Sequence, residues 1–209
     1  MTKTNVGSQR ELNATFKTWI FGELNRRIPA GPRRKNPKHV LIVACLILSD
    51  KRVREVGGNN RGTWVGYLQD TIGGISGEAW CMAAVQTLVA VAEEYTGCKS
   101  YLASSSLYGS EHCLTVLAKS PLLVVDEPAR GCITIYQYGK TSNGHTGIIL
   151  ALTKDGFLQA EGNTDSGDAV NREGDGFYTK RRLLKGYGEA RIVGFIDPFP
   201  EYSVDPQAA

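Results

Sequence analysis

The segment GGISGEAWCMAAVQTLVAVAEEYTG (Gly73–Gly97) runs from a glycine-rich turn into a stretch that is apolar almost all round. A helix with no polar face belongs at the centre of a domain, with other elements packed on every side. Its start, near Trp80, carries Cys81 in the first turn, where unpaired backbone N–H groups and the helix dipole favour a thiolate. Gly73, Gly74 and Gly77 let another backbone approach closely. On this segment alone, Cys81 reads equally well as a buried core thiol or as a nucleophile.

The elements on either side complete the class. Leu12, Phe16, Trp19, Ile20 and Leu24 recur at helical spacing, predicting an amphipathic helix over about 9–28, packed on the domain and not on a membrane. PAGPRRKNP (29–37) reads as a linker with three prolines in nine residues. A second helix is expected from His39 to about Glu55, a short one at Thr63–Gln69, and another after serine caps at Ser104–Ser106. Beyond Pro121 the chain becomes strand-like. CITIYQYG, TGIILALT, GFLQAEG, GFYTKRRL and ARIVGFI are short β-branched or aromatic runs between glycine-bearing turns. Helices first and an antiparallel meander afterwards predict an α+β fold. The expected organisation is a helical extension with a basic linker (1–37), a main domain (38–198) and a tail (199–209).

Composition narrows the function classes. The chain has 209 residues, 42% hydrophobic and 22% charged, with a net charge of +3. Arg26, Arg27, Arg33, Arg34, Lys35 and Lys38 cluster before the first strongly apolar run, a solvated face or a contact for an anionic polymer. Nucleic acid is not an expected partner. The nine-residue run Val40–Leu48 is too short to span a bilayer, so no stable membrane insertion is expected. The first residues lack the apolar region of a secretory signal, which predicts a protein made and held in the cytoplasm. Five scattered cysteines (Cys45, Cys81, Cys98, Cys113, Cys132) contain no C-x-x-C pair. The three histidines lack ligand spacing, and the acidic residues have no calcium-loop pattern, so neither metal nor other cofactor is expected.

A nucleophilic thiol requires a base and a group to orient it. His39 beside the basic linker reads as solvated, and His112 has no evident role. His145 opens the run GHTGIILAL, at a strand start behind a flexible turn. Next along the chain, Glu161 and Asn163 close the neighbouring strand. With a hairpin turn near Lys154–Gly156, both strand ends fall at one end of the sheet. Either side chain can accept from an imidazole N–H, and Glu161 also stabilises the imidazolium.

These residues resemble the CHAP family, the cysteine- and histidine-dependent amidohydrolases and peptidases of the papain-like superfamily. GEAWC (Gly77–Cys81), NGHTGII (Asn143–Ile149) and AEGNT (Ala160–Thr164) carry the resemblance, with GGNNRGTWVGYLQDTIG (Gly57–Gly73) upstream and ARIVGFIDP (Ala190–Pro198) as the closing strand. It covers roughly residues 40–198. Gly131-Cys132 departs from the glycine-aspartate pair usual in the family, and a compact catalytic domain without a wall-binding module is expected.

The resemblance implies a papain-like fold and a peptidoglycan-cleaving amidase or endopeptidase, such as a monomeric phage endolysin held in the host cytoplasm until release. An exported antibacterial effector or a virion-carried lysin fits equally. It implies Cys81 as nucleophile, His145 as base, and Glu161 supported by Asn163 as orienting groups. The oxyanion donors are the Cys81 N–H and a side chain, Tyr67 or Gln69, while Trp80 packs or touches substrate. A transglutaminase-like acyl transferase and a non-catalytic wall-binding protein are the alternatives from other classes.

Overall fold

The computed structural model describes residues 10–103, 111–167 and 174–204. The expected serine caps at Ser104–Ser106 lie outside these residues. Five helices precede most of the sheet among the described residues: α1 (Ala14–Arg27), α2 (Pro37–Lys51), α3 (Thr63–Asp70), α4 (Cys81–Thr96) and α5 (Glu111–Lys119). The strands are β1 (Val124–Val125), β2 (Ile133–Tyr138), β3 (Gly144–Leu152), β4 (Gly156–Thr164), β5 (Gly176–Leu183) and β6 (Ala190–Ile196). They form one antiparallel sheet in the order β1-β6-β2-β3-β4-β5. The chain is therefore α+β, with helices before the meander.

Local chemistry places the helix ends. The Asn13 side chain accepts from the Thr15 and Phe16 N–H groups, so α1 starts several residues later than its apolar spacing suggests. Asn36 caps α2 through the His39 N–H, with Pro37 at the first helical position. That helix stops at Lys51, short of the expected Glu55, because Arg52 turns left-handed and the chain leaves to join the sheet. Arg54 bridges Gly176, the Phe177 N–H donates to the Val53 carbonyl, and the Glu55 N–H donates to that of Asp175.

Helix α4 is buried along every residue from Cys81 to Ala92. It packs between α2 and strands β3 and β4, and each fully buried Val or Leu there contributes about 1.5–3 kcal/mol. Phe16, Ile20 and Leu24 of α1 are fully buried in that same core. Gly162 lets β4 lie against the first turns of α4. A Cβ there would stand 2.7 Å from Trp80 Cζ3 and 2.8 Å from Ala84 Cβ.

Two basic-linker neighbours are buried, contrary to the solvated reading. Lys38 pairs with Asp197 at 2.6 Å beneath Gly131, and His39 is only 8% exposed on the first turn of α2. The first turn of a capped helix faces the domain, so polarity alone misplaced His39. Burial, with Arg33 and Arg130 nearby, lowers its pKa. Among the described residues no helix is long and apolar enough to cross a membrane.

Candidate active site

Trp80 precedes α4 without offering a side-chain cap, so the helix N-terminal N–H groups remain open towards Cys81. The Met82 N–H is one of the groups that favour its thiolate. Trp80 itself is fully buried, and its indole N–H donates to Glu55 Oε1 at 2.9 Å. It is a packing residue that fixes the turn before Cys81.

Strand alternation brings the other groups together. Ile148, Leu150 and Ala160 face the core shared with α4, whereas Ile149 and Phe157 belong to a separate cluster on the opposite face. His145 and Gly147 share the face of Ile149, and Gln159 and Glu161 share that of Phe157. Gly147 leaves the space Glu161 needs: a Cβ there would lie 2.9 Å from Glu161 Cγ and 2.7 Å from the Ala160 carbonyl oxygen.

The His145 Nε2–H donates to Glu161 Oε2 at 2.8 Å. Ionised carboxylate oxygens only accept, so this contact puts the neutral ring's proton on Nε2 and leaves Nδ1 free to accept. Cys81 is the other hydrogen-bonding partner of the ring. The order of contacts is thiol, imidazole, carboxylate.

Electrostatics reinforce this order. A hydrogen bond from Cys113 lowers the Cys81 pKa most. Burial opposes it, and the hydrogen bond and charge of His145 lower it further, to well below the ordinary value of 9.0. For His145, burial disfavours the charged ring, but Tyr138 and the hydrogen bonds to Cys81 and Glu161 outweigh it and raise the pKa well above 6.5. Both shifts favour a thiolate–imidazolium pair.

Glu161 is itself held by groups that no local pattern marked. Arg182 on β5 donates from Nε to Oε1 at 2.6 Å and from Nη2 to Oε2 at 2.7 Å. Gln159 Nε2 donates to Oε1 at 2.7 Å. Burial alone would raise the carboxyl pKa, yet the bonds from Arg182 and His145 hold it at about 2. The Arg182 guanidinium also stacks on Tyr187, 3.6 Å from the ring centre.

A small cavity of about 60 Å³ opens over the thiol, lined by Ala79, Cys81, Tyr138, Asn143, Gly144, His145 and Asn163. Asn163 belongs to this cavity and makes no hydrogen bond to His145. A bulge between Glu161 and Thr164 turns it left-handed at φ +55°, and its Oδ1 is buried without a partner among the described residues. The expected oxyanion side chains do not line the cavity. Gln69 Nε2 donates to the carbonyls of Asn60 (3.2 Å) and Glu78 (2.8 Å), while the Tyr67 ring packs against Phe16 and Trp64. Both lie upstream of the cysteine in sequence, but the fold uses them for other contacts.

Two further groups escaped the sequence. Tyr138 faces the cavity from the end of β2. Cys113 of α5 brings its Sγ to 3.8 Å from that of Cys81. All five cysteines are free. Among the described residues, no group of three or more His, Cys, Asp or Glu stands close enough to hold a metal ion. No family model, curated protein or solved structure matches the chain.

Proposed function

We propose that the protein is a cysteine hydrolase that cleaves amide bonds in the stem peptides of peptidoglycan. The observation that carries the chemistry is the continuous line from Cys81 through His145 to Glu161, with 2.8 Å between imidazole and carboxylate. The wall substrate follows from the resemblance of GEAWC, NGHTGII and AEGNT to the CHAP family. On this reading the protein acts as a lysin, of the endolysin, virion-carried or exported effector kind.

The Cys81 thiolate attacks the carbonyl carbon of the amide. The C–N bond breaks as His145, charged by the thiol proton, protonates the leaving amine. Water activated by His145 then hydrolyses the thioester and restores the thiol. Glu161 keeps the ring in its Nε2–H form and stabilises the imidazolium. The Cys81 backbone N–H, at an uncapped helix start, supplies one oxyanion donor. Asn163, which lines the cavity and whose Oδ1 has no partner among the described residues, takes the side-chain role that Tyr67 and Gln69 are not placed to fill.

The decisive experiment incubates purified sacculi with the wild-type protein and with Cys81→Ala, followed by mass spectrometry of the released fragments. Wild type is expected to release fragments with a newly freed amine or carboxyl, whose masses identify the bond, and Cys81→Ala to release none. Equal release by both would refute the thiol mechanism. No release by either would refute the wall substrate.

A further inference from the structure

A hydrolytic triad does not need a second thiol beside the nucleophile. Cys113 nevertheless sits on a different helix with its sulfur 3.8 Å from that of Cys81, and it is fully buried. Cys81 lines the cavity, whereas Cys113 is fully buried and is not among the residues that line it. The remaining cysteines are placed differently. Cys45 and Cys132 are buried, and burial pushes both thiols up, Cys132 to about 11. Cys98 is in contact with the Tyr202 hydroxyl at 3.1 Å.

We propose that Cys81 and Cys113 form a peroxide-reactive thiol pair, in which Cys113 converts the oxidised nucleophile into a disulfide that reversibly silences the enzyme. The oxidant is a hydroperoxide, for which hydrogen peroxide is the smallest probe. The Cys81 thiolate attacks one peroxide oxygen. An S–O bond forms, the O–O bond breaks, and the departing hydroxide takes the His145 proton to become water. Cys113 then attacks the sulfenic sulfur. The S–S bond forms, the S–O bond breaks, and the second hydroxide leaves as water with the Cys113 proton. Two thiols and one peroxide thus become one disulfide and two waters.

The geometry suits the second step. An S–S bond is about 2.05 Å long, so the sulfurs must approach by less than about 2 Å, a distance that side-chain rotation covers. The two roles are also divided. Cys81 carries the helix terminus and the imidazole that make a thiolate reactive. Cys113, although also in the first turn of its helix, is held protonated by burial and by the neighbouring Cys81, and waits in contact as the resolving thiol. Disulfide formation removes the nucleophile from the cavity and protects it from irreversible oxidation to sulfinic acid.

The loss of activity rests on the proposed hydrolase, whereas the thiol chemistry is read independently by mass. The full chain is treated with hydrogen peroxide, blocked with an alkylating agent and mapped without reduction. Wild type is expected to lose two hydrogens, to yield a Cys81–Cys113 linked peptide, and to lose lytic activity that dithiothreitol restores. In Cys113→Ser and Cys113→Ala, Cys81 is expected to gain two oxygens, with no recovery relative to each variant's own untreated rate. Sulfinic acid on Cys81 of the wild type with Cys113 still reduced would overturn the pair. So would two thiols left intact. A mapped disulfide in a protein without lytic activity before treatment supports the pair and counts against the hydrolase.

Discussion

Replacing Arg182 with Met removes two hydrogen bonds from Glu161 and leaves a fully buried carboxylate without its guanidinium partner. The wild-type bonds are short, at 2.6 and 2.7 Å, and the side-chain exposure is 4% for Arg182 and 0% for Glu161. Removing one member of such a pair costs about 3–5 kcal/mol, because the other charge stays buried. The Glu161 carboxyl offers a second measure. Its fall from 4.5 to about 2 corresponds to about 3 kcal/mol at about 1.4 kcal/mol for each tenfold change in acidity.

The sign follows from linkage. A carboxyl with a depressed folded pKa contributes stability above its unfolded pKa and loses it as pH falls through about 2. Arg182→Met should therefore lower the melting temperature at pH 7 by about 6–20 °C, at about 2–4 °C per kcal/mol for a chain of this size. The deficit should shrink in acid, where the stranded carboxyl takes up a proton. Glu161→Gln strands the arginine instead. The double variant should then lose less than the sum of the two single losses, by about 0.5–3 kcal/mol. Urea unfolding of the four proteins at pH 7 measures the cycle. Additive losses, or an Arg182→Met variant within about 0.5 kcal/mol of wild type, would refute the network.

Other outcomes test the site. Activity should have an acid limb at the lowered Cys81 pKa and an alkaline limb at the raised His145 pKa. Glu161→Gln removes a charge that favours the imidazolium, so the alkaline limb should move to lower pH; an unmoved limb means Glu161 does not act through His145. Iodoacetamide should alkylate Cys81 at a pH where ordinary thiols are largely protonated, while Cys45, held protonated by burial, should not react; peptide mapping against pH reads both. Gly162→Ala should cost about 1–3 kcal/mol by forcing β4 off Trp80 and Ala84, and should lower turnover by displacing Cys81; unchanged melting and turnover would show that the contact yields freely. Asn163→Gly should preserve or raise stability, since it relieves φ +55°, yet reduce activity; full activity would exclude the amide from the reaction.

The sequence by itself determined the architecture and the alignment of Cys81, His145 and Glu161. Apolarity on all sides of Met82–Ala92 requires a central helix, and Cys81 then falls on its open end. Period-two strands with a turn near Gly156 place His145 and Glu161 at one end of the sheet, because a hairpin fixes register over a short separation. Only the tertiary structure decided the supporting partners. Arg182 reaches Glu161 across a connection whose length leaves the β4–β5 register open, and nothing in GFYTKRRL distinguishes its buried arginine from the exposed Arg181. Cys113 meets Cys81 because α5 packs near the α4 terminus, a contact between elements with no shared period. Gln69 and His39 show the same limit from the other side. Their polarity is visible in the chain, but which carbonyls and neighbours satisfy it depends on packing, which brings together groups far apart in sequence.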